Sequence, residues 1–179
     1  MLIIVGSRRE GNCYHLAKKI KEALETERIN TEIIVPGNQK IHICTGCMDC
    51  DKSGKCDFTD DMFSNINKIK NEKYLIFITP TRWNLISGDL KIFIDRLNPM
   101  YSRQELKGKK VINISVGSKD KGLYSTEAAL SDLQSFAESA KMTCILDRKF
   151  HNCLDFTDIL KQEDEINKLI SDIKEVINT

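Results

Sequence analysis

The sequence predicts a doubly wound α/β fold, in which helices cover both faces of a parallel β-sheet. Short runs rich in Ile and Val alternate with longer amphipathic segments, as expected of β-α units that feed such a sheet. The 179 residues suffice for one domain, and we expect residues 1–179 to form it. Five predicted strands fit the order 2-1-3-4-5, in which ligands bind outside the carboxyl ends of the strands, beside the point where the order reverses.

The predicted elements follow one another regularly along the chain. Leu2–Val5 is a buried strand, residues 6–11 form a turn, and Asn12 is a plausible N-cap of the first helix. A second strand covers Thr31–Val35 and ends at Pro36-Gly37. The later elements are a helix near 60–70, a strand at 74–79, a helix at 85–97, a strand at 111–116, a helix at 125–140 and a short strand at 144–146. A last helix carries an apolar stripe that we expect to pack on the sheet: Ile166, Leu169, Ile170, Ile173, Val176 and Ile177.

Composition excludes several classes of function. The net charge is +1 and basic residues are interleaved with acidic ones, so the chain lacks the basic stripe of a nucleic-acid binder. No apolar stretch approaches the ~18 residues of a membrane-spanning helix. The start has no basic region or cleavage site typical of a signal peptide. We therefore expect a cytoplasmic protein, in which the clustered ones among the seven cysteines indicate metal or redox chemistry rather than disulfides.

The loop after the first strand has the features of an anion site. Gly6-Ser7-Arg8-Arg9-Glu10-Gly11-Asn12-Cys13 joins a buried strand to the start of a helix, where free N–H groups and the helix dipole favour negative charge. Gly11 permits a close approach of the backbone to a ligand, and Ser7 and Asn12 add hydrogen-bond donors. An arginine can form paired hydrogen bonds to phosphate oxygens. The loop lacks the Gly-Lys-Ser/Thr ending of a Walker motif, which binds nucleoside triphosphates. It also lacks the glycine spacing of a dinucleotide-binding loop. A monophosphate is favoured, with a plain turn as the alternative.

The loop after the third strand holds the single tryptophan of the chain. Thr79-Pro80-Thr81-Arg82-Trp83-Asn84 follows a buried strand, at the edge where the fold places ligands. An aromatic ring beside exposed backbone amides suits a flat heterocycle. The alternative is that Trp83 packs beneath a neighbouring loop.

These two loops resemble the NAD(P)H-dependent FMN reductase family. Residues 6–12 are similar to its Gly-Ser-x-Arg…Gly-Asn-Thr phosphate loop. The segment from Thr79 to Arg96, which includes Ser87-Gly88-Asp89-Leu90-Lys91, is similar to its Ser-Pro-x-Tyr-Trp…Ser-Gly-x-Leu-Lys-x-Phe-x-Asp-Arg segment. Together with Gly117-Ser118, the resemblance extends to about residue 140. It implies a flavodoxin-like fold that binds flavin mononucleotide (FMN).

The resemblance also implies roles for individual residues. The FMN phosphate would be held by Ser7, Arg8 or Arg9, Gly11, Asn12 and Cys13. The isoalloxazine ring would be bordered by Pro80, Thr81, Arg82, Trp83, Asn84, Gly117 and Ser118. This chain departs from the family in three ways: the first loop is one residue short, Cys13 replaces Thr, and Arg82 replaces Tyr. The short loop leaves open which arginine binds the phosphate.

A cysteine-rich insertion loop, residues 38–59, follows the second strand. Its cysteines, Cys44, Cys47, Cys50 and Cys56, have intervening gaps of two, two and five residues, so that a short loop could wrap one compact centre. Structural zinc usually takes two separated pairs of ligands, so zinc is less favoured. The segment resembles the cysteine motif of the iron-sulfur flavoproteins, a branch of the same family, which implies a [4Fe–4S] cluster. The alternative is a loop of reduced, unligated thiols.

The other cysteines and the histidines carry no predicted role. Cys144 is expected in the core because it lies in an apolar strand, and Cys153 is expected as an exposed thiol in a polar segment. The scattered histidines at 15, 42 and 151 indicate neither a nucleophile pair nor a metal site.

The expected function is an FMN-dependent oxidoreductase in which the cofactor performs the chemistry and no catalytic acid or base is required. In one hypothesis FMN and a cluster form an electron relay, supplied by NAD(P)H or by a reduced carrier such as ferredoxin. In a second, cluster-free FMN takes electrons from NAD(P)H and passes them to a flavin or a quinone. A third hypothesis is a non-enzymatic electron carrier. The family resemblance also implies a homodimer or a higher homo-oligomer.

Overall fold

The structure, a computed structural model, describes residues 1–118 and 125–178 and confirms the predicted architecture. The strands are β1 (Leu2–Val5), β2 (Glu32–Ile34), β3 (Tyr74–Pro80), β4 (Lys110–Val116) and β5 (Thr143–Phe150). The helices are α1 (Asn12–Thr26), α2 (Asp49–Ser53), α3 (Asp61–Asn71), α4 (Gly88–Asp95), α5 (Asn98–Ser102), α6 (Ser125–Ser139) and α7 (Glu163–Asn178), with 3₁₀ turns at Pro36–Asn38 and Asp158–Lys161. All strand pairs are parallel, and the order is β2-β1-β3-β4-β5.

Both faces of the sheet are buried, which explains the continuous apolar runs of its strands. Because side chains alternate along a strand, Ile3 and Val5 join the core that contains α1 and α7. Leu2 and Ile4 join the opposite core, beneath α3, α4 and α6. The apolar stripe of α7 packs on the sheet as predicted, with Ile166, Leu169 and Ile173 fully covered.

Polar side chains cap two of the helices at their starts. The Asp60 carboxylate accepts the Met62 N–H at 3.0 Å and begins α3. The Ser87 hydroxyl accepts the Leu90 N–H at 3.3 Å and begins α4. The helix predicted from residue 85 therefore starts at Gly88, because residues 82–85 form a tight turn. None of the described helices combines the length and the hydropathy needed to span a membrane.

Three predictions about single residues are wrong. Gly11, not Asn12, is the N-cap of α1, because the Asn12 side chain binds a distant loop instead. Cys144 is exposed rather than in the core, because β5 is an edge strand that bulges opposite Val111 and Ile112. Cys153 is buried rather than exposed, because its backbone N–H bonds to the carbonyl oxygen after β4 and draws the segment onto the sheet.

The cysteine-rich segment includes one short helix, α2, and is fastened to α5. The Ser102 hydroxyl donates to the Cys50 carbonyl oxygen at 3.1 Å, and the Arg103 guanidinium donates to the Ser53 carbonyl oxygen at 2.6 Å. These bonds hold the loop against the body of the fold.

Candidate functional site

A cavity of about 230 Å³ opens at the carboxyl ends of β1, β3, β4 and β5. This is the edge that the sheet order predicts for a ligand. Sequence-predicted site residues provide most of its lining: Ser7, Arg9, Gly11, Asn12, Cys13, Pro80, Thr81, Arg82 and Ser118. Four predicted residues do not line it: Arg8, Trp83, Asn84 and Gly117. The structure thus brings the first and third loops together, as expected.

The cavity has the chemistry of an anion site. It lies at the N-terminus of α1, where the N-cap Gly11 offers no side-chain acceptor to the first-turn N–H groups. Those groups and the helix dipole favour a negative ligand, and the Arg9 and Arg82 side chains add positive charge. None of the described lining residues is Asp or Glu. The residues present therefore fit a phosphate.

The two arginines of the first loop have different partners. Arg8 points away from the cavity and pairs with Asp89 at the start of α4, with a shortest N–O distance of 2.6 Å. Arg9 lines the cavity, and its guanidinium lies 4.6 Å from the centre of the Phe156 ring. The structure thus leaves Arg9 as the first-loop arginine available to a ligand.

Asn12 holds the loop that follows β5. Its side-chain amide donates to the carbonyl oxygens of Asp155 at 2.7 Å and Cys153 at 3.2 Å, and its oxygen accepts the Ile159 N–H at 2.9 Å. Cys153, Leu154 and Phe156 of this loop form one wall of the cavity. Sequence reasoning missed this wall and the lining residue Val116, because only the first, third and fourth loops were expected to reach the ligand. The carboxyl end of β5 was the available signal.

The loop after β3 ends in a tight turn that presents Trp83 to solvent. The Arg82 N–H donates to the Leu85 carbonyl oxygen at 2.9 Å, and the reverse bond is 3.0 Å. Trp83 and Asn84 both have positive φ, 51° and 64°, as in a type I′ turn. Such a φ is unusual for a bulky residue, and the Trp83 side chain is 96% exposed. The alternative of a tryptophan packed beneath a loop is therefore wrong.

Two buried thiols in the cavity wall, Cys13 and Cys153, have raised pKa values. Burial, with a smaller contribution from Cys153, raises the pKa of the Cys13 thiol to about 12. Burial likewise raises the pKa of Cys153 to about 11. Both stay protonated at neutral pH, so neither places a negative charge beside an anionic ligand.

The four predicted cluster cysteines lie outside this cavity. Cys50 is buried, Cys44 and Cys56 are half-buried, and Cys47 is exposed. Burial raises the pKa of Cys50, and the nearby Asp51, Cys56 and Cys47 raise it further, so these sulfurs influence one another. No three of these four sulfurs lie within 4.8 Å of one another. The Cys47 sulfur and one carboxylate oxygen each of Asp49 and Asp57 do lie within 4.8 Å of one another.

The side chains of this loop offer the chemistry that an iron-sulfur cluster requires. Four soft thiolates on one short loop are the donor set that such clusters use. The residues present therefore fit an iron-sulfur centre by the chemistry of their donors.

A buried polar network lies beneath the cysteine loop. The Arg96 guanidinium donates to the Asp60 carboxylate at 2.7 and 3.1 Å and to the His42 carbonyl oxygen at 2.8 Å. The His42 ring lies 3.1 Å from Asp60 and stacks on Phe58 with ring centres 4.8 Å apart. Burial would raise the pKa of Asp60, but Arg96 and His42 hold it well below its usual range. Sequence reasoning gave His42 no role; its partners are too distant in the chain to be predicted.

Comparisons with known proteins agree with this geometry. A sequence model of the family described as NADPH-dependent FMN reductase matches residues 1–173. An iron-sulfur flavoprotein of Methanocaldococcus jannaschii is 30% identical over 134 residues, 74% of this chain and 68% of that protein. One from Archaeoglobus fulgidus is 32% identical over 107 residues, 59% of this chain and 49% of that protein, so the match spans about half the length of this relative.

The fold has a counterpart among solved structures. The solution structure of two-electron reduced Megasphaera elsdenii flavodoxin gives a TM-score of 0.59 at 16% sequence identity. The match covers 95% of this chain and 98% of that one. Together with the strand order, it shows that the fold is flavodoxin-like.

Proposed function

Because this chain belongs to the NADPH-dependent FMN reductase family, we propose that it is an oxidoreductase that binds FMN with its phosphate in the cavity at the start of α1. One observation carries the proposal: a helix N-terminus without a side-chain cap faces Arg9 in a cavity whose described lining contains no carboxylate. Such a site favours a negatively charged group. Bound FMN would supply the electron transfer itself, and the protein would bind and orient it.

The two ends of the cofactor would meet different residues. Ser7, Arg9, Gly11 and Cys13 would hold the phosphate, the last two through their backbone N–H groups. The cavity is smaller than the roughly 300–1,000 Å³ of whole small-molecule sites, so the isoalloxazine would extend toward the rim. That rim would comprise Pro80, Thr81, Arg82, Trp83, Asn84, Gly117 and Ser118. A cation such as Arg82 beside the ring would stabilise the negative charge of a reduced flavin.

Titration of cofactor-free protein with FMN and with riboflavin tests this assignment. Riboflavin lacks the phosphate, so we expect it to bind about 10–100-fold more weakly, the loss expected when hydrogen bonds to a charged group are removed. Quenching of flavin fluorescence measures both affinities. Equal affinity for the two flavins would contradict a phosphate site at α1.

We also propose that Cys44, Cys47, Cys50 and Cys56 bind a [4Fe–4S] cluster. The donor set supports this assignment, as does the similarity of this chain to the two iron-sulfur flavoproteins. The test is iron and acid-labile sulfide analysis of protein purified without oxygen. About four of each per chain supports the cluster, and less than one iron per chain with FMN intact refutes it.

The two cofactor sites use different loops, since none of the four cysteines lines the cavity. We therefore expect Cys47→Ala to lose the cluster and to retain FMN. Cys144→Ala is the matched control, because Cys144 is an exposed cysteine on β5, outside the cysteine loop. Loss of FMN from a folded Cys47→Ala protein would refute the separation of the sites.

The electron donor would be NAD(P)H or a reduced carrier such as ferredoxin, and the acceptor a small molecule or a protein. The alternative is a cluster-free NAD(P)H-dependent FMN or quinone reductase, and a second alternative is a non-enzymatic carrier. Oxidation of NADPH and NADH, followed with flavin and quinone acceptors, distinguishes an enzyme from a carrier. Family membership favours the enzyme.

We further propose that residues 1–179 act as one FMN-binding unit in the cytoplasm, as a homodimer or higher homo-oligomer. Light scattering coupled to size-exclusion chromatography measures the oligomeric state. A single 20.5 kDa species at micromolar concentration would contradict the oligomer.

A further inference from the structure

Arg96 is a buried cation whose ion pair leaves one of its three guanidinium nitrogens without a partner in the part of the chain that the structure describes. Its side chain is 2% exposed and that of Asp60 is 1% exposed. Two guanidinium nitrogens, Nη1 and Nη2, bind the Asp60 carboxylate, and Nη1 also reaches the His42 carbonyl oxygen. Among the described residues, the third nitrogen, Nε, has no hydrogen-bond partner. A buried N–H without an acceptor is costly, so its presence calls for a reason.

Asp60 cannot accept the unused donor, because both of its oxygens are already engaged. Oδ1 accepts from the Met62 N–H and from Arg96 Nη2. Oδ2 accepts from Arg96 Nη1 and the His42 backbone N–H, and also lies 3.1 Å from the His42 ring. The Arg96–Asp60 pair is therefore complete without Nε. The pair accounts for the charge of Arg96 but leaves Nε without an acceptor within residues 1–118 and 125–178.

A neighbour of the guanidinium with unused acceptor capacity is Cys56. This cysteine lies four residues before Asp60 and close enough to the guanidinium to affect it: burial would lower the pKa of Arg96, but Asp60 and the sulfur of Cys56 raise it. The aromatic ring of Phe58, with its centre 5.0 Å from the guanidinium, covers another side of the same group. A thiol sulfur is a poor acceptor, whereas a metal-bound thiolate is a good one.

We propose that Arg96 is a positioning residue for the cysteine site, whose Nε–H donates to the Cys56 sulfur when that sulfur ligates the iron-sulfur centre. The inference rests on the proposed cluster. A hydrogen bond to a ligating sulfur stabilises the added electron, so it makes the reduction potential of the centre less negative. Asp60 and His42 hold the Arg96 guanidinium in place, and Arg96 in turn adjusts the reduction potential of the centre.

The test compares Arg96→Lys with Arg103→Lys in protein purified without oxygen. Lysine keeps the positive charge beside Asp60 but has no second nitrogen to offer the sulfur. Arg103 is the matched control, because it fastens the same loop through the Ser53 carbonyl oxygen on the other side. The measurements are iron content and the midpoint potential of the cluster, followed by electron paramagnetic resonance.

The proposal predicts that Arg96→Lys shifts the potential to a more negative value, while Arg103→Lys leaves it at the wild-type value. An iron-replete Arg96→Lys protein with the wild-type potential would overturn the role of Arg96 and leave the cluster assignment intact. Wild-type protein without iron would overturn both.

If Arg96→Lys holds no iron, a crystal structure of the wild-type, iron-loaded protein decides. Nε within hydrogen-bond distance of the Cys56 sulfur supports the proposal, and Nε bonded to another acceptor overturns it.

Discussion

Arg8 and Asp89 form a forked ion pair that joins the first loop to the start of α4. The Arg8 Nη2 lies 2.6 Å from Asp89 Oδ1, and its Nε lies 3.1 and 3.0 Å from the two carboxylate oxygens. Gly37 permits this contact, because an added Cβ there would lie 2.4 Å from the Arg8 side chain. The pair draws Arg8 away from the cavity and leaves Arg9 facing it. The position of one arginine thus defines the role of its neighbour.

The first prediction follows from this division. Arg9→Gln should weaken FMN binding about 10–100-fold, because it removes charge-assisted hydrogen bonds worth roughly 1.5–3 kcal/mol. Arg8→Gln, the matched control, should change the affinity less than threefold. Fluorescence titration of cofactor-free protein measures both. A larger loss for Arg8→Gln than for Arg9→Gln would reverse the assignment.

The second prediction concerns Asn12, whose side chain makes three hydrogen bonds to the loop after β5. Asn12→Ala should lower the free energy of unfolding by about 1–3 kcal/mol, because it leaves part-buried backbone groups without partners. FMN affinity should fall as well, since that loop forms a wall of the cavity. Urea denaturation measures the stability. Asn71→Ala, in which an exposed amide is lost from α3, is the control and should cost less than 0.5 kcal/mol.

The third prediction concerns the turn that carries Trp83. A left-handed conformation costs a bulky residue about 1–2 kcal/mol, and Asn tolerates it better. Trp83→Asn should therefore stabilise the protein by about 0.5–1 kcal/mol, because the exposed ring contributes little burial. Urea denaturation measures the stability. Leu85→Asn is the control and should show no such gain, because Leu85 belongs to the same turn but has an ordinary, negative φ. Destabilisation by Trp83→Asn would mean that the ring makes contacts in the free protein.

The fourth prediction concerns the pH dependence of Cys144. Although the residue as a whole is exposed, partial burial of its sulfur raises the pKa of this thiol to about 12, and the Asp147 carboxylate, 3.0 Å from the sulfur, contributes to the rise. Asp147→Asn removes that negative charge, so the pKa falls. Below the pKa, each unit of decrease raises the reactive thiolate fraction tenfold. Alkylation of Cys144 at pH 8, followed by mass spectrometry, should accelerate severalfold, with Cys13 in the same sample unchanged. An unaltered rate at Cys144 would contradict the influence of Asp147.

Local patterns were sufficient to predict the sheet and the first loop of the cavity, whereas the family resemblance supplied the residues of the third and fourth loops. The order of the strands follows from apolar runs separated by amphipathic helices, and an anion site in the first loop follows from glycines and polar donors at one strand end. These features depend on residues close together in the chain. The choice of Arg9 over Arg8 as the arginine that faces the cavity could not be predicted. It depends on the pairing of Arg8 with Asp89, which lies 81 residues away in the chain.

The features that the sequence could not predict depend on distant partners. Asn12 bonds to residues more than 140 positions away, so its pattern indicates only a helix start. The exposure of Cys144 depends on a bulge in an edge strand, which alternation alone does not reveal. Arg96 joins His42 and Asp60 across 54 and 36 positions, and no local motif gives His42 a partner.

The most direct test of the proposed phosphate site is a crystal structure of the protein with FMN bound. We predict the phosphate at the N-terminus of α1, hydrogen-bonded to the Arg9 guanidinium and to first-turn N–H groups, with Arg8 still paired to Asp89. A phosphate bound by Arg8, or located away from the start of α1, would contradict it.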